Sequence, residues 1–147
     1  LNGVIGSWTG LNEFIESSTS GRYTEFNLQS IFGIALGPLT WLMGVPWSDA
    51  ASVGQLLGEK TVLNEFYAYV SMESLMNSGQ LNSEKAQILS TYILCGFANF
   101  ASIGIQIGGI GALAPSRRKE LSELGLRALL AGTAASLFTA ILVGILY

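Results

Sequence analysis

Histidine is absent from this 147-residue chain, cysteine occurs once, and charged side chains make up only 12% of it. Without histidine, no Ser-His-Asp or Cys-His nucleophile system can be assembled. The lone Cys95 excludes an internal disulfide and a thiolate metal cage. A net charge of −3 without a basic tract argues against a nucleic-acid partner. An acid–base enzyme would have to work from Glu59, Lys60 or Glu65 alone, so the chain reads as a non-enzyme with no cofactor. A pore would need rings of like charge or a carbonyl filter, and isolated polar residues supply neither. No Lys or Arg precedes Arg22, and nothing at the start resembles a signal peptide.

What the chain has instead is apolar surface and glycine. Half of its residues are hydrophobic, 18 are glycine, and the mean hydropathy is +0.47. Soluble domains carry about a quarter charged residues, twice the share found here. Glycine is frequent in transmembrane helices because it lets backbones approach closely. Composition therefore points to an all-α polytopic membrane protein embedded in a lipid bilayer. The opening phrase Leu1-Asn-Gly-Val-Ile-Gly-Ser-Trp8 reads as the tail of a helix that starts upstream.

Five segments follow. Residues 1–25 are that helix end plus a polar, turn-rich loop. Residues 26–48 carry no charge and would suffice to span a bilayer core of about 30 Å. Pro38 and the Gly33/Gly37 pair interrupt them, and Asn27 is positioned as an N-cap. This segment either crosses or lies at the interface, anchored by Trp41 and Trp47; the interruptions favour the interface. Residues 49–76 hold two apolar runs too short to cross singly, Ala50–Leu57 and Phe66–Met72, with Glu59, Lys60, Asn64 and Glu65 between them. Two short helices meeting at a polar tip make a re-entrant hairpin, which survives at membrane depth only against protein or a watery cavity. Residues 84–114, capped by Asn82 or Ser83, are long enough to cross. Residues 119–147 form the last span, and by the positive-inside rule Arg117-Arg118-Lys119 is cytoplasmic. Gly33-Ile-Ala-Leu-Gly37 and Gly104-Ile-Gln-Ile-Gly108 read as faces for close helix packing.

Polar side chains at depth need a reason, because a mid-helix charge costs about 2.5–3.5 kcal/mol on insertion scales. Glu65 is either a loop carboxylate loosely paired with Lys60 or a carboxylate aimed into a cavity, ready to accept from a polyhydroxylated solute. Within Cys95-Gly-Phe-Ala-Asn-Phe-Ala-Ser102, Gly96 and Asn99 both weaken a helix. A break there would point helix ends at a bound solute, as discontinuous transporter helices do. Alternatively, Asn99 and Ser102 bond a neighbouring helix. The pattern leaves both readings open.

Together these phrases resemble the concentrative nucleoside transporter family. Gly58-Glu-Lys60 with Asn64-Glu-Phe-Tyr-Ala-Tyr69 is similar to its G-x-K…N-E-F-x-A-Y signature, with Tyr67 where valine is common. Cys95-Gly-Phe-Ala-Asn-Phe-Ala-Ser-Ile-Gly104 is similar to its G-F-A-N-x-x-S-I signature. Gly37-Pro-Leu, Gly44-Val-Pro-Trp47 and Leu113-Ala-Pro-Ser-Arg-Arg118 match as well. The resemblance implies the second half of an inverted-repeat carrier, a homotrimer in a bacterial inner membrane that takes up nucleosides with sodium ions or protons. Residues 49–147 would be its transport domain, with 49–76 the re-entrant hairpin and 84–114 a discontinuous transmembrane helix. It further implies that Glu65, Asn99 and Ser102 bind the ribose hydroxyls and that Phe97 lines the pocket. Asn64 and Lys60 would support them, and the coupling-ion site would lie upstream.

Overall fold

The computed structural model describes residues 10–19 and 21–147. The N-terminal phrase read as a helix tail lies outside the described residues. Among those described there are seven α-helices, one 3-10 turn and no strand: α1 (Leu11–Ser18), α2 (Leu28–Leu42), α3 (Trp47–Val62), α4 (Glu65–Asn77), α5 (Glu84–Leu94), α6 (Phe100–Leu113) and α7 (Arg118–Leu146).

Helix α1 falls where the sequence suggested only loop. Leu11, Phe14 and Ile15, at i, i+3 and i+4, supply a one-turn apolar stripe, and Ile15 is buried. Helix α2 starts at a reciprocal cap: the Asn27 side chain accepts from the Ser30 N–H, and the Ser30 hydroxyl accepts from the Asn27 N–H. Pro38 does not interrupt it, and the helix runs on to Leu42. Gly33 and Gly37 both face packing partners, as expected. A Cβ at Gly33 would collide with the Tyr23 ring, and one at Gly37 would touch the Ala51 backbone at 3.5 Å. Tyr23 is held there by its hydroxyl, placed 3.2 Å from both the Ala51 carbonyl and Gln55 Oε1. Burial pushes that hydroxyl up to about 12, so it remains protonated.

Between Leu42 and Trp47 the chain bends by 118°, laying α3 back across α2. Gly44, in the left-handed region at φ 97°, allows that turn. Every residue from Ser52 to Lys60 is buried, so α3 is the axis of the core. Its Leu56 and Leu57 share the core with Leu81, Leu89, Ile93 and Leu94, and α2, α4 and α5 pack against it. Trp41 and Trp47 meet edge to face at 5.8 Å on the exposed side of the bend.

Helix α7, with its leading turn, covers Pro115–Leu146 and is the one helix among the described residues long and apolar enough to cross a membrane. It presents a row of small residues to its neighbours. Cβ atoms added at Gly125, Gly132 and Gly144 would meet Ile103, Ala98 and Leu89, and Ser136 and Ala140 are buried on the same side. Gly104 and Gly108 behave otherwise. A Cβ at either meets nothing within 4 Å, so the close packing expected of them is not made among the described residues.

Candidate functional site

The site lies where α3 and α4 turn back on each other and where α5 gives way to α6. The first turn sits at Leu63 and Asn64. Asn64 caps α4 by accepting from the Tyr67 N–H at 2.8 Å, which fixes Glu65 as the first residue of that helix. A carboxylate in a helix's first turn is favoured by the partial positive charge of the exposed N–H groups. Glu59 and Lys60, expected at a polar tip with Glu65, are instead buried in the last turns of α3. Each residue advances about 100° around a helix, so the two point to different neighbours. Glu59 Oε1 accepts from Gln55 Nε2 at 3.0 Å, while Lys60 donates to the Ile93 carbonyl at 2.8 Å. The suggested Glu65–Lys60 pair is not formed among the described residues.

The second turn is the break foreseen at Gly96–Ser102. Helix α5, capped by Ser83, ends at Leu94, and α6 begins at Phe100. Residues 95–99 between them are irregular. Gly96 is required by proximity, since a Cβ there would overlap the Ser136 hydroxyl. Asn99 then caps α6: its Oδ1 accepts from both the N–H and the hydroxyl of Ser102, each at 2.8 Å.

Asn99 spends its other end on the hairpin. Its Nδ2 donates to Glu65 Oε2 at 2.8 Å. Glu65, Asn99 and Ser102 therefore form one hydrogen-bonded chain across the gap between two helix N-termini. The choice left open by the sequence, between bonding a neighbouring helix and marking a break, resolves into both at once. Asn99 is 2% exposed, whereas Glu65 and Ser102 are half-buried. Glu65 Oε1 makes no hydrogen bond to a described residue. The arrangement thus offers adjacent acceptors and donors, already oriented, to a ligand carrying neighbouring hydroxyls.

Phe97, 79% exposed, lies beside this chain. Phe97, Asn99 and Ser102 line one end of a cavity of about 860 Å³ between α6 and α7. The rest of its lining is mostly apolar, with Ile107, Ile110, Leu121 and Leu124 among it and Gln106, Ser136 and Thr139 as further polar side chains. Glu65 does not line that cavity and meets it only through Asn99. Replacing Asn99 should disturb both of its jobs. Asn99→Ala is expected to lower stability by about 1 kcal/mol through the lost cap. Asn99→Asp keeps an acceptor for the cap but sets two carboxylates together. Binding should fall in both variants, and thermal stability in both as well: through the lost cap in Asn99→Ala and through the two apposed carboxylates in Asn99→Asp.

Sequence reasoning missed Tyr69, whose hydroxyl donates to the Thr91 carbonyl at 3.0 Å, near the end of α5, and Ser136, which meets both Lys60 and Gly96. Ser136 was recoverable from the spacing Gly125, Gly132, Ser136, Ala140, Gly144. Tyr69 stood in the Asn64–Tyr69 phrase that carries the resemblance, but without an assigned role.

The comparisons with known proteins place this all-helical chain in a family. The family description "Na+ dependent nucleoside transporter C-terminus" matches residues 1–144, and the chain belongs to that family. It is 48% identical over 144 residues to the uncharacterized transporter YutK of Bacillus subtilis, covering 98% of this chain and 33% of the relative. It is 45% identical over 133 residues to sodium/nucleoside cotransporter 1 of Rattus norvegicus, covering 82% and 20%. Among solved structures, CNTnw in an inward-facing substrate-bound state superposes with a TM-score of 0.77 at 35% identity, covering 95% of this chain and 34% of that one. The chain thus spans about a third or less of the length of these proteins, and it belongs to a family of membrane transport proteins.

Proposed function

We propose that the protein takes up nucleosides by secondary active transport driven by a sodium or proton gradient, and that this chain supplies the ribose-binding half of its site. The observation that carries the reading is the Glu65–Asn99–Ser102 chain at the meeting of two helix N-termini. Glu65 Oε1 accepts from one ribose hydroxyl. The remaining Asn99 N–H and the Ser102 hydroxyl serve its neighbour, and Phe97 flanks the sugar. Asn64 and Lys60 hold the two turns in place.

In this reading α3 and α4 are a re-entrant hairpin, and α5 with α6 is one interrupted transmembrane helix. At 11 and 14 residues, each half is too short to cross alone. Helix α2, at 15 residues, is an interfacial scaffold element. The chain is the second of two inverted repeats, the coupling cation binds in the other, and three copies assemble in a bacterial inner membrane. The likeness of fold and sequence to CNTnw and to a sodium/nucleoside cotransporter supports this placement.

Full-length protein reconstituted in liposomes should concentrate radiolabelled uridine when a sodium or proton gradient is imposed, and should stop when the gradient is dissipated. Ion current without uridine accumulation would replace the carrier with a pore.

A further inference from the structure

The hairpin touches the break at both of its ends, and the two contacts carry opposite charge. At the α6 end it presents Glu65, through Asn99, to a helix N-terminus. At the α5 end it presents Lys60. The Lys60 side chain is fully buried, and its ammonium donates to the Ile93 carbonyl at 2.8 Å and to Ser136 Oγ of α7 at 3.4 Å. In a continuous α-helix the Ile93 carbonyl would accept from the Phe97 N–H, four residues on. Lys60 takes that acceptor for itself. Tyr69 does the same two residues earlier, its hydroxyl donating to the Thr91 carbonyl that would otherwise accept from the Cys95 N–H. A cation is also the group that the partial negative charge of a helix C-terminus favours.

We propose that Lys60 is a positioning residue for nucleoside binding: its ammonium holds α5 and α6 apart, so that Asn99 starts a new helix facing Glu65 instead of continuing the old one. Lys60 touches no substrate. It acts through the register of residues 95–99, with Ser136 as its second anchor and Gly96 as the residue small enough to let that anchor approach. Three elements that share no sequence neighbourhood (α3, α5 and α7) are tied at one nitrogen. The inference rests on the ribose-binding role of Glu65, and its test separates the two.

The test measures uridine affinity and local amide hydrogen exchange on the full-length protein with Lys60→Met, Glu65→Gln and both together. Lys60→Met keeps length and packing but removes the charge and the donors. The expected result is at least a tenfold rise in the uridine Kd for Lys60→Met, with altered exchange confined to residues 95–99. The double variant should bind little more weakly than Glu65→Gln alone, because both changes remove the same aligned contact. Lys60→Gln, which keeps a donor, should lie between wild type and Lys60→Met. A Kd for Lys60→Met within twofold of wild type, or losses that simply multiply in the double variant, would overturn the positioning role even if Glu65→Gln weakens binding. Unchanged binding in Glu65→Gln would instead overturn the site itself. Faster exchange throughout the protein, or failure of both Lys60 variants to fold, would make Lys60 a folding determinant and not a positioning residue.

Discussion

Glu65→Gln is expected to weaken uridine binding by about 1–3 kcal/mol, roughly 5- to 150-fold in Kd, while leaving the fold intact. The substitution is nearly isosteric, so the side chain can still reach Asn99, which now offers its N–H to a carbonyl oxygen. What changes is the other side of the group. Glu65 Oε1, which makes no hydrogen bond to a described residue, is replaced by an amide that either presents N–H groups to the ribose or turns its oxygen away from Asn99. Charge-assisted hydrogen bonds are about twice as strong as neutral ones, and in a site partly shielded from water the difference is not diluted. Isothermal titration of the purified full-length variant measures the change. A thermal midpoint within a degree or two of wild type would assign it to the site. Binding unchanged from wild type would remove Glu65 from the ligand's contacts.

The second large effect concerns the fold. Gly54→Ala should destabilise the protein by about 1–3 kcal/mol, the range for overpacked cores. A Cβ at Gly54 would stand 2.7 Å from the Gly37 nitrogen and 2.9 Å from the Leu36 carbonyl carbon. Both are backbone atoms of α2, so only separation of the two helices relieves the contact. Two neighbouring glycines provide the control. A Cβ at Gly37 meets the Ala51 backbone at an ordinary 3.5 Å, whereas one at Gly58 would stand 2.5 Å from Phe32 Cβ, an atom that side-chain rotation does not move. Thermal unfolding should therefore show Gly54→Ala and Gly58→Ala as clearly harmful and Gly37→Ala as the mildest. Equal gains at all three would mean that the higher helix propensity of Ala, not the α2–α3 approach, governs these positions.

Local patterns carried much of this structure in the sequence. The caps at Asn27 and Ser83, the break at Gly96–Ser102 and the last long helix all follow from short-range chemistry. A side-chain acceptor beside free N–H groups, a glycine with an asparagine in an apolar run, or twenty uncharged residues each act within a few positions. What was not legible depends on partners distant in sequence. Lys60 and Glu59 read as parts of a polar tip because neighbours in sequence were taken as neighbours in space. Helical rotation turned Lys60 toward Ile93, 33 positions away, and Ser136, 76 positions away. Pro38 read as an interruption, but the surrounding packing of Gly33 and Gly37 carries α2 through it. Gly104 and Gly108 had the spacing of a packing face, and no described residue supplies their partner. The bond between Asn99 and Glu65 has no local signature at all, since it joins residues 34 positions apart. It follows only when two helix caps are brought together by the hairpin.

The central claim is that Glu65, Asn99 and Ser102 read the ribose. It is tested most directly by comparing the affinities of the full-length wild type and the Glu65→Gln variant for uridine and for 2′,3′-dideoxyuridine. Wild type should bind the dideoxy compound at least tenfold more weakly than uridine, and Glu65→Gln should largely lose that preference. If Glu65→Gln binds uridine weakly yet still discriminates as strongly as wild type, the ribose hydroxyls are read elsewhere and the assignment is contradicted.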